Sequence, residues 1–176
     1  LGGNFDIERR CSFIRPDNNY YYRTPSSDSN RKTYTYSCWY KRALLSYSIG
    51  NVFEQKQNGQ NYQVAFFRDD DKFEFHGYTS TGGNQYTNRF VTTQKFRDIS
   101  SWYHIIIAVD TTQATASNRV KIYLNGSQIT NFDTADYPSQ NFDTFVNTTQ
   151  QLRLGRGQAG GQAYDGYMSE IWHYDG

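Results

Sequence analysis

Tyr164-Asp165-Gly166-Tyr167-Met168-Ser169-Glu170-Ile171-Trp172-His173-Tyr174-Asp175-Gly176 closes the chain. It runs Asp-Gly, a short apolar stretch, Glu and another apolar residue, and it reads as a strand. With Ile171 facing a core, two-residue alternation turns Trp172 to the opposite face beside Glu170. An outward tryptophan there is either a platform for a ligand or partner, or a ring packed beneath a loop.

The same period recurs upstream. Tyr34, Tyr36, Cys38 and Tyr40 alternate with Thr35, Ser37, Trp39 and Lys41. Val120, Ile122 and Leu124 alternate with Arg119, Lys121 and Tyr123. These are patterns of half-buried strands. Trp102 to Val109 is apolar on both parities, which predicts a central strand covered on both faces. Phe66-Phe67-Arg68, the turn Asp69-Asp70-Asp71, then Phe73 and Phe75 read as a hairpin. Thr79 to Asn84 and Gln158 to Gly161 read as loops. One helical turn is expected over Phe96-Arg97-Asp98-Ile99-Ser100. Many short strands joined by Gly, Asn and Ser turns predict an all-β sandwich or barrel. No composition shift or internal repeat divides the chain, so residues 1–176 are read as one domain.

Composition narrows the function classes. The 176 residues can bury a core unaided, and an 18% aromatic content with 16 tyrosines is far too high for disorder. A net charge of +1 gives no field to attract nucleic acid or an anionic membrane. No apolar run is long enough to cross a bilayer, so membrane insertion is not expected. No charged-then-apolar leader is visible, so secretion by signal peptide is not expected either. Cys11 and Cys38 read as two free buried thiols or as one bridge between early strands.

Four segments carry a family resemblance: Arg23 to Ser27 running into Arg31 to Arg42, Trp102 to Asp110, Ala114 to Gly126, and the closing strand. From about Arg10 to Gly176 the chain resembles concanavalin A-like (laminin-G-like) domains of structural proteins in tailed, mostly aquatic bacteriophages. The resemblance implies a concanavalin A-like jelly-roll sandwich of two antiparallel sheets, with the last strand beside an early one. It also implies a setting in the virion, as a fibre tip, tail or capsid-exposed module. The expected partners are other virion proteins and a host-surface glycan, with homo-oligomers in the particle. The alternatives are a purely structural decoration or fibre module without a ligand, and a secreted bacterial adhesion domain.

The Glu-x-Asp-x-x-Glu string of the glucanase branch is absent, and no serine lies in a Gly-x-Ser-x-Gly elbow, so no enzyme is expected. Asp69, Asp70 and Asp71 read as solvated turn carboxylates. Glu170 reads as a buried hydrogen-bond acceptor, and His104 as a satisfied structural imidazole. No resident cofactor is expected, with calcium at Asp110 and Asp165 as the one candidate, because both lie at strand ends that could form a rim. Sugar binding needs aromatic faces with planar polar side chains, and Tyr, Trp, Asn and Gln are all plentiful. Trp39 and Trp102 read as core. Trp172 is the leading glycan or partner contact, followed by Tyr78 and Tyr86, which flank Gly82-Gly83. Tyr20-Tyr21-Tyr22 must turn at least one ring outward. Asn125 and Asn147 fit the glycosylation acceptor pattern.

Overall fold

Strand-period stretches pair into two antiparallel sheets in the computed structural model, which describes residues 10–17, 19–46, 49–58, 60–158 and 162–176. The six-stranded sheet runs β1 (Arg10–Phe13), β13 (Gly166–Asp175), β3 (Thr33–Arg42), β8 (Tyr103–Asp110), β9 (Val120–Leu124), β10 (Ser127–Gln128). The seven-stranded sheet runs β11 (Phe132–Asp136), β7 (Gln85–Lys95), β6 (Lys72–Thr79), β5 (Asn61–Phe67), β4 (Gly50–Asn58), β12 (Leu152–Leu154), β2 (Tyr21–Arg23). The closing strand β13 lies between β1 and β3, so the first and last described strands meet in one sheet.

The core between the sheets is aromatic. Tyr36, Tyr40, Phe53, Phe67, Phe75 and Phe90 are fully buried there, with Ile105, Ile107 and Ile122. Buried phenols need partners. Tyr40 donates to the Tyr36 hydroxyl at 3.1 Å, and Tyr164 donates to the Lys41 carbonyl at 2.9 Å. Many of the rings that mark the composition therefore serve packing.

Several expectations are corrected. Trp39 and Trp102 are only partly buried and lie outside the core cluster. Trp39 is on the outer face of β3, where it stacks on His104 with centroids 4.7 Å apart. Strand β8 is buried on alternate residues, so its outer face is half open rather than covered. No helical turn forms over Phe96–Ser100. Asp98 instead caps the following turn by accepting from the Ser100 amide at 2.9 Å, while Phe96 is buried. Asn147 is buried and donates to the Asn30 carbonyl and the Asp175 carboxylate, so it cannot accept a glycan. Asn125 and Gly126, both at positive φ, make the hairpin turn between β9 and β10. Cys11 and Cys38 are both free thiols. Of the loop read over Gln158 to Gly161, residues 159–161 lie outside the described residues.

The closing strand carries an irregularity that the sequence hides. Ser169 pairs with Trp39, and Trp172 with Ser37, so Glu170 and Ile171 together oppose Cys38. Glu170 takes φ +48° in this bulge and is exposed, not a buried acceptor. The extra residue resets the alternation. Met168 faces inward, and Ile171 and His173 do so as well, while Trp172 and Tyr174 both face out.

Candidate functional site

The hairpin of β5 and β6 builds the candidate site. Its register pairs Phe66 with Glu74, Val64 with His76, and Tyr62 with Tyr78. These residues face outward from the seven-stranded sheet, since Ala65, Phe67, Phe73 and Phe75 between them point into the core. Strand β7 adds Arg89 opposite His76 and Tyr86 opposite Tyr78. The result is a cavity of about 490 Å³ on the outer face, lined among others by Tyr62, Phe66, Glu74, His76, Tyr86 and Arg89. That size is within the range of small-ligand pockets.

Glu74 is at the centre. Its side chain is 2% exposed, an unusual place for a carboxylate on an outer sheet face. Arg89 Nε donates to Oε1 at 2.8 Å, and Arg68 Nη1 pairs with Oε2 at 2.5 Å. His76 Nδ1 approaches Oε1 at 2.9 Å. Burial works to raise the Glu74 carboxyl, but the bonds from His76, Arg89 and Arg68 outweigh it and hold it down at about 2. A carboxylate only accepts, so Nδ1 carries the proton of that bond. The other ring nitrogen, Nε2, is buried and has no hydrogen-bond partner.

Aromatic rings enclose the imidazole. Tyr86, Phe66 and Tyr62 meet it edge-on, at centroid distances of 5.0, 5.6 and 5.7 Å. Tyr78 stacks on Tyr62 at 5.4 Å, and the Arg89 guanidinium lies 4.6 Å over the Tyr86 ring. Among the charged groups lining this cavity, Arg68 and Arg89 balance Glu74 and Asp69. The arrangement offers π-faces beside fixed donors and acceptors with no net charge. That suits a ligand with apolar C–H faces and hydroxyl groups.

A second buried carboxylate braces the hairpin from behind. Asp71 is fully buried at φ +66° and is not a solvated turn residue. Its Oδ1 accepts from Arg42 at 3.0 Å and from the Ser46 amide at 2.7 Å, and its Oδ2 accepts from Arg97 at 3.0 Å. Burial alone would raise this carboxyl, but those bonds lower it.

The residues singled out in the sequence do not form one site. Tyr78 and Tyr86 belong to the aromatic cluster just described. Trp172 is outward and 55% exposed, but it is on the other sheet, stacked with Tyr174 at 6.2 Å. The sandwich core separates the two. The calcium pair is also divided. Asp110 aligns with Thr33 at one end of β3, while Gly166, next to Asp165, aligns with Arg42 at the other. Ten residues of strand place them roughly 30 Å apart. Asp110 closes its own turn, accepting from the Thr112 amide at 3.0 Å and from Gln113 at 2.6 Å. Among the described residues no group of three His, Cys, Asp or Glu is placed to hold a metal ion.

The sequence profile of the concanavalin A-like lectin/glucanases superfamily matches residues 16–176. The chain belongs to that superfamily. Among curated proteins none matches. Solved structures of similar shape share little sequence with this chain. Mouse laminin α1 chain, domains LG4-5, is 12% identical with a TM-score of 0.65, covering 98% of this chain and 44% of that one. Domain 4 of the Geobacillus stearothermophilus arabinanase AbnA, solved with arabinotriose, is 16% identical with a TM-score of 0.57, covering 97% and 84%. The CBM40 of Ruminococcus gnavus IT-sialidase, bound to α2,3 sialyllactose, is 12% identical with a TM-score of 0.52, covering 95% and 92%. At such identities the likeness speaks for the superfamily fold alone.

Sequence reasoning missed Tyr62, Phe66, Glu74, His76 and Arg89 as a group. The signal was present in the hairpin. Once Asp69–Asp71 is taken as the turn, Phe67 falls opposite Phe73, and Phe66/Glu74 and Val64/His76 follow in pairs on one face.

Proposed function

We propose that this domain is a non-catalytic glycan-binding module and that the outer-face cavity around His76 is its binding site. The observation that carries the reading is the His76 ring. It is 7% exposed, enclosed by three aromatic rings, and leaves one nitrogen unpaired at a cavity with balanced charge. An unpaired buried ring nitrogen is costly unless a ligand or water completes it, and a sugar hydroxyl, which both donates and accepts, is a fitting partner. Two relatives of this fold were solved with sugars, which supports the class of ligand without naming the one used here. Glu74 is held ionised by three donors, so it is a poor proton donor at neutral pH and an anchor rather than an acid catalyst. The setting proposed for the module is the surface of a phage particle, as a fibre, tail or capsid appendage; this rests on the four sequence segments.

Glycan-array screening followed by calorimetry on the purified domain tests the binding reading. Tyr86→Ala should weaken the best sugar about tenfold, or 1.4 kcal/mol, as the loss of one stacking face. Trp172→Ala, on the opposite sheet, should leave that affinity unchanged. A reversed result would move the site to the six-stranded face, and release of reducing ends from any bound glycan would overturn the non-catalytic reading. A second reading is favoured by Trp172 and Tyr174, which are both 55% exposed. We propose that this face contacts a neighbouring copy or another particle protein; a monomer mass that does not change with concentration would count against self-association.

A further inference from the structure

A second cavity, of about 590 Å³, opens at the end of the sandwich beside the first. Its walls come from the β6–β7 turn, from β7 itself, and from the segment that carries Tyr137, Phe142 and Phe145. Tyr86 lines both cavities. The reason is a bulge in β7. Gly77 pairs with Asn88 and Tyr78 with Tyr86, so Thr87 is the extra residue between them. Tyr86 therefore faces the outer cavity, while Thr87 turns to the inner side beside Gly77. A side chain at Gly77 would place its Cβ 2.4 Å from Thr87 Oγ1, so the glycine makes room for that hydroxyl.

Thr87 Oγ1 is buried without a hydrogen-bond partner at this second cavity. Gln63 Oε1, which approaches the same glycine, also has none. An orphan hydroxyl at the edge of a cavity calls for an explanation. The lining of this cavity shows what would satisfy the Thr87 hydroxyl. It is made of hydroxyls, amides and rings, and Asp143 is its one charged residue. A lone carboxylate beside a charge-balanced first cavity disfavours an anionic ligand.

We infer that the two cavities form one extended site for a neutral linear oligosaccharide, which crosses the ridge at Tyr86 and puts hydroxyl groups against Thr87. The inference rests on the reading of the first cavity as a sugar site and adds a second subsite and the class of sugar. Calorimetry with neutral arabino- and gluco-oligosaccharide ladders, monosaccharide through hexasaccharide, and with sialyllactose tests it. The affinity should rise about tenfold, equivalent to 1.4 kcal/mol, at the length that passes Tyr86. Thr81→Trp, on the exposed rim of the second cavity, should remove that gain and leave the shortest ligand unaffected. Thr87→Val should reduce it in part, with an unchanged melting temperature as the check on folding. Equal affinity along a ladder that binds, or preference for sialyllactose, would overturn the inference and leave the glycan-binding reading standing. No binding by any sugar would overturn both.

Discussion

Replacing Glu74 by Gln tests the centre of the site directly. Glutamine keeps the shape of the side chain but removes the charge that Arg68, Arg89 and His76 share. The Glu74 carboxyl is lowered from an ordinary 4.5 to about 2 in the folded protein. A carboxyl depressed on folding adds stability above its unfolded value and loses it as pH falls through its folded value. The full contribution is then about 3 kcal/mol at pH 7, falling to about 1.4 kcal/mol at pH 3.

Urea unfolding of parent and variant at both pH values reads this difference. At pH 7 the variant should be about 2–4 kcal/mol less stable, since two guanidiniums lose their counter-charge but remain partly solvated. At pH 3 the gap should close by more than half, because the parent is losing the same charge. Other acidic groups, such as Asp71, titrate equally in both proteins and cancel in the comparison. A gap of the same size at both pH values would refute the electrostatic account and assign the loss to packing. No gap at pH 7 would show that solvent screens the cluster despite its burial.

Three further outcomes follow from the packing. Ile122→Ala, at a fully buried position, should cost about 2–5 kcal/mol in urea unfolding, far more than Trp172→Ala on the open face. Gly77→Ala should destabilise by about 1–3 kcal/mol, because its Cβ would press on Thr87, Asn88 and Gln63 at 2.4–2.8 Å; a neutral effect would show that the bulge relaxes freely. Burial pushes the Cys38 thiol up to about 12, so in native protein at pH 8 it should resist a disulfide reagent while partly exposed Cys11 reacts, and both should react in denaturant.

Much of the fold was legible because strand alternation reports burial. Tyr34, Tyr36, Cys38 and Tyr40 face inward as their spacing requires, and the four family segments placed the last strand beside an early one. What alternation cannot report is a change of phase. One bulge at Glu170–Ile171 decides that Trp172 faces out, and another at Thr87 lets Tyr86 face out while Thr87 turns in. Burial on the outer face was equally hidden. Trp39 looked like a core residue because nothing in the chain shows that His104 covers it from the next strand. Asp71 looked solvated because its partners, Arg42, Ser46 and Arg97, lie far away in sequence. Tyr78 and Tyr86 were legible as neighbours of one turn, but Glu74 and His76 gain meaning only from the strands on either side.

The outer face of the seven-stranded sheet also bears on whether the domain is merely structural. A sheet face that needs only to be soluble carries exposed polar residues, each solvated separately. This one buries Glu74, Phe66, Val64 and His76 together on the side away from the core. Withdrawing a carboxylate from water is costly, and an apolar residue of similar volume is often at least as stable as a buried ion pair. The cluster is therefore better explained by rigidity than by stability. Two guanidiniums and an imidazole fixed on one carboxylate cannot rearrange independently, so the rings that enclose them keep their spacing. A preorganised wall of this kind lowers the ordering cost when a flexible, weakly apolar ligand such as a sugar chain binds. Trp172 and Tyr174 have no comparable frame. They stack on each other over an open face, on the sheet opposite the cavity.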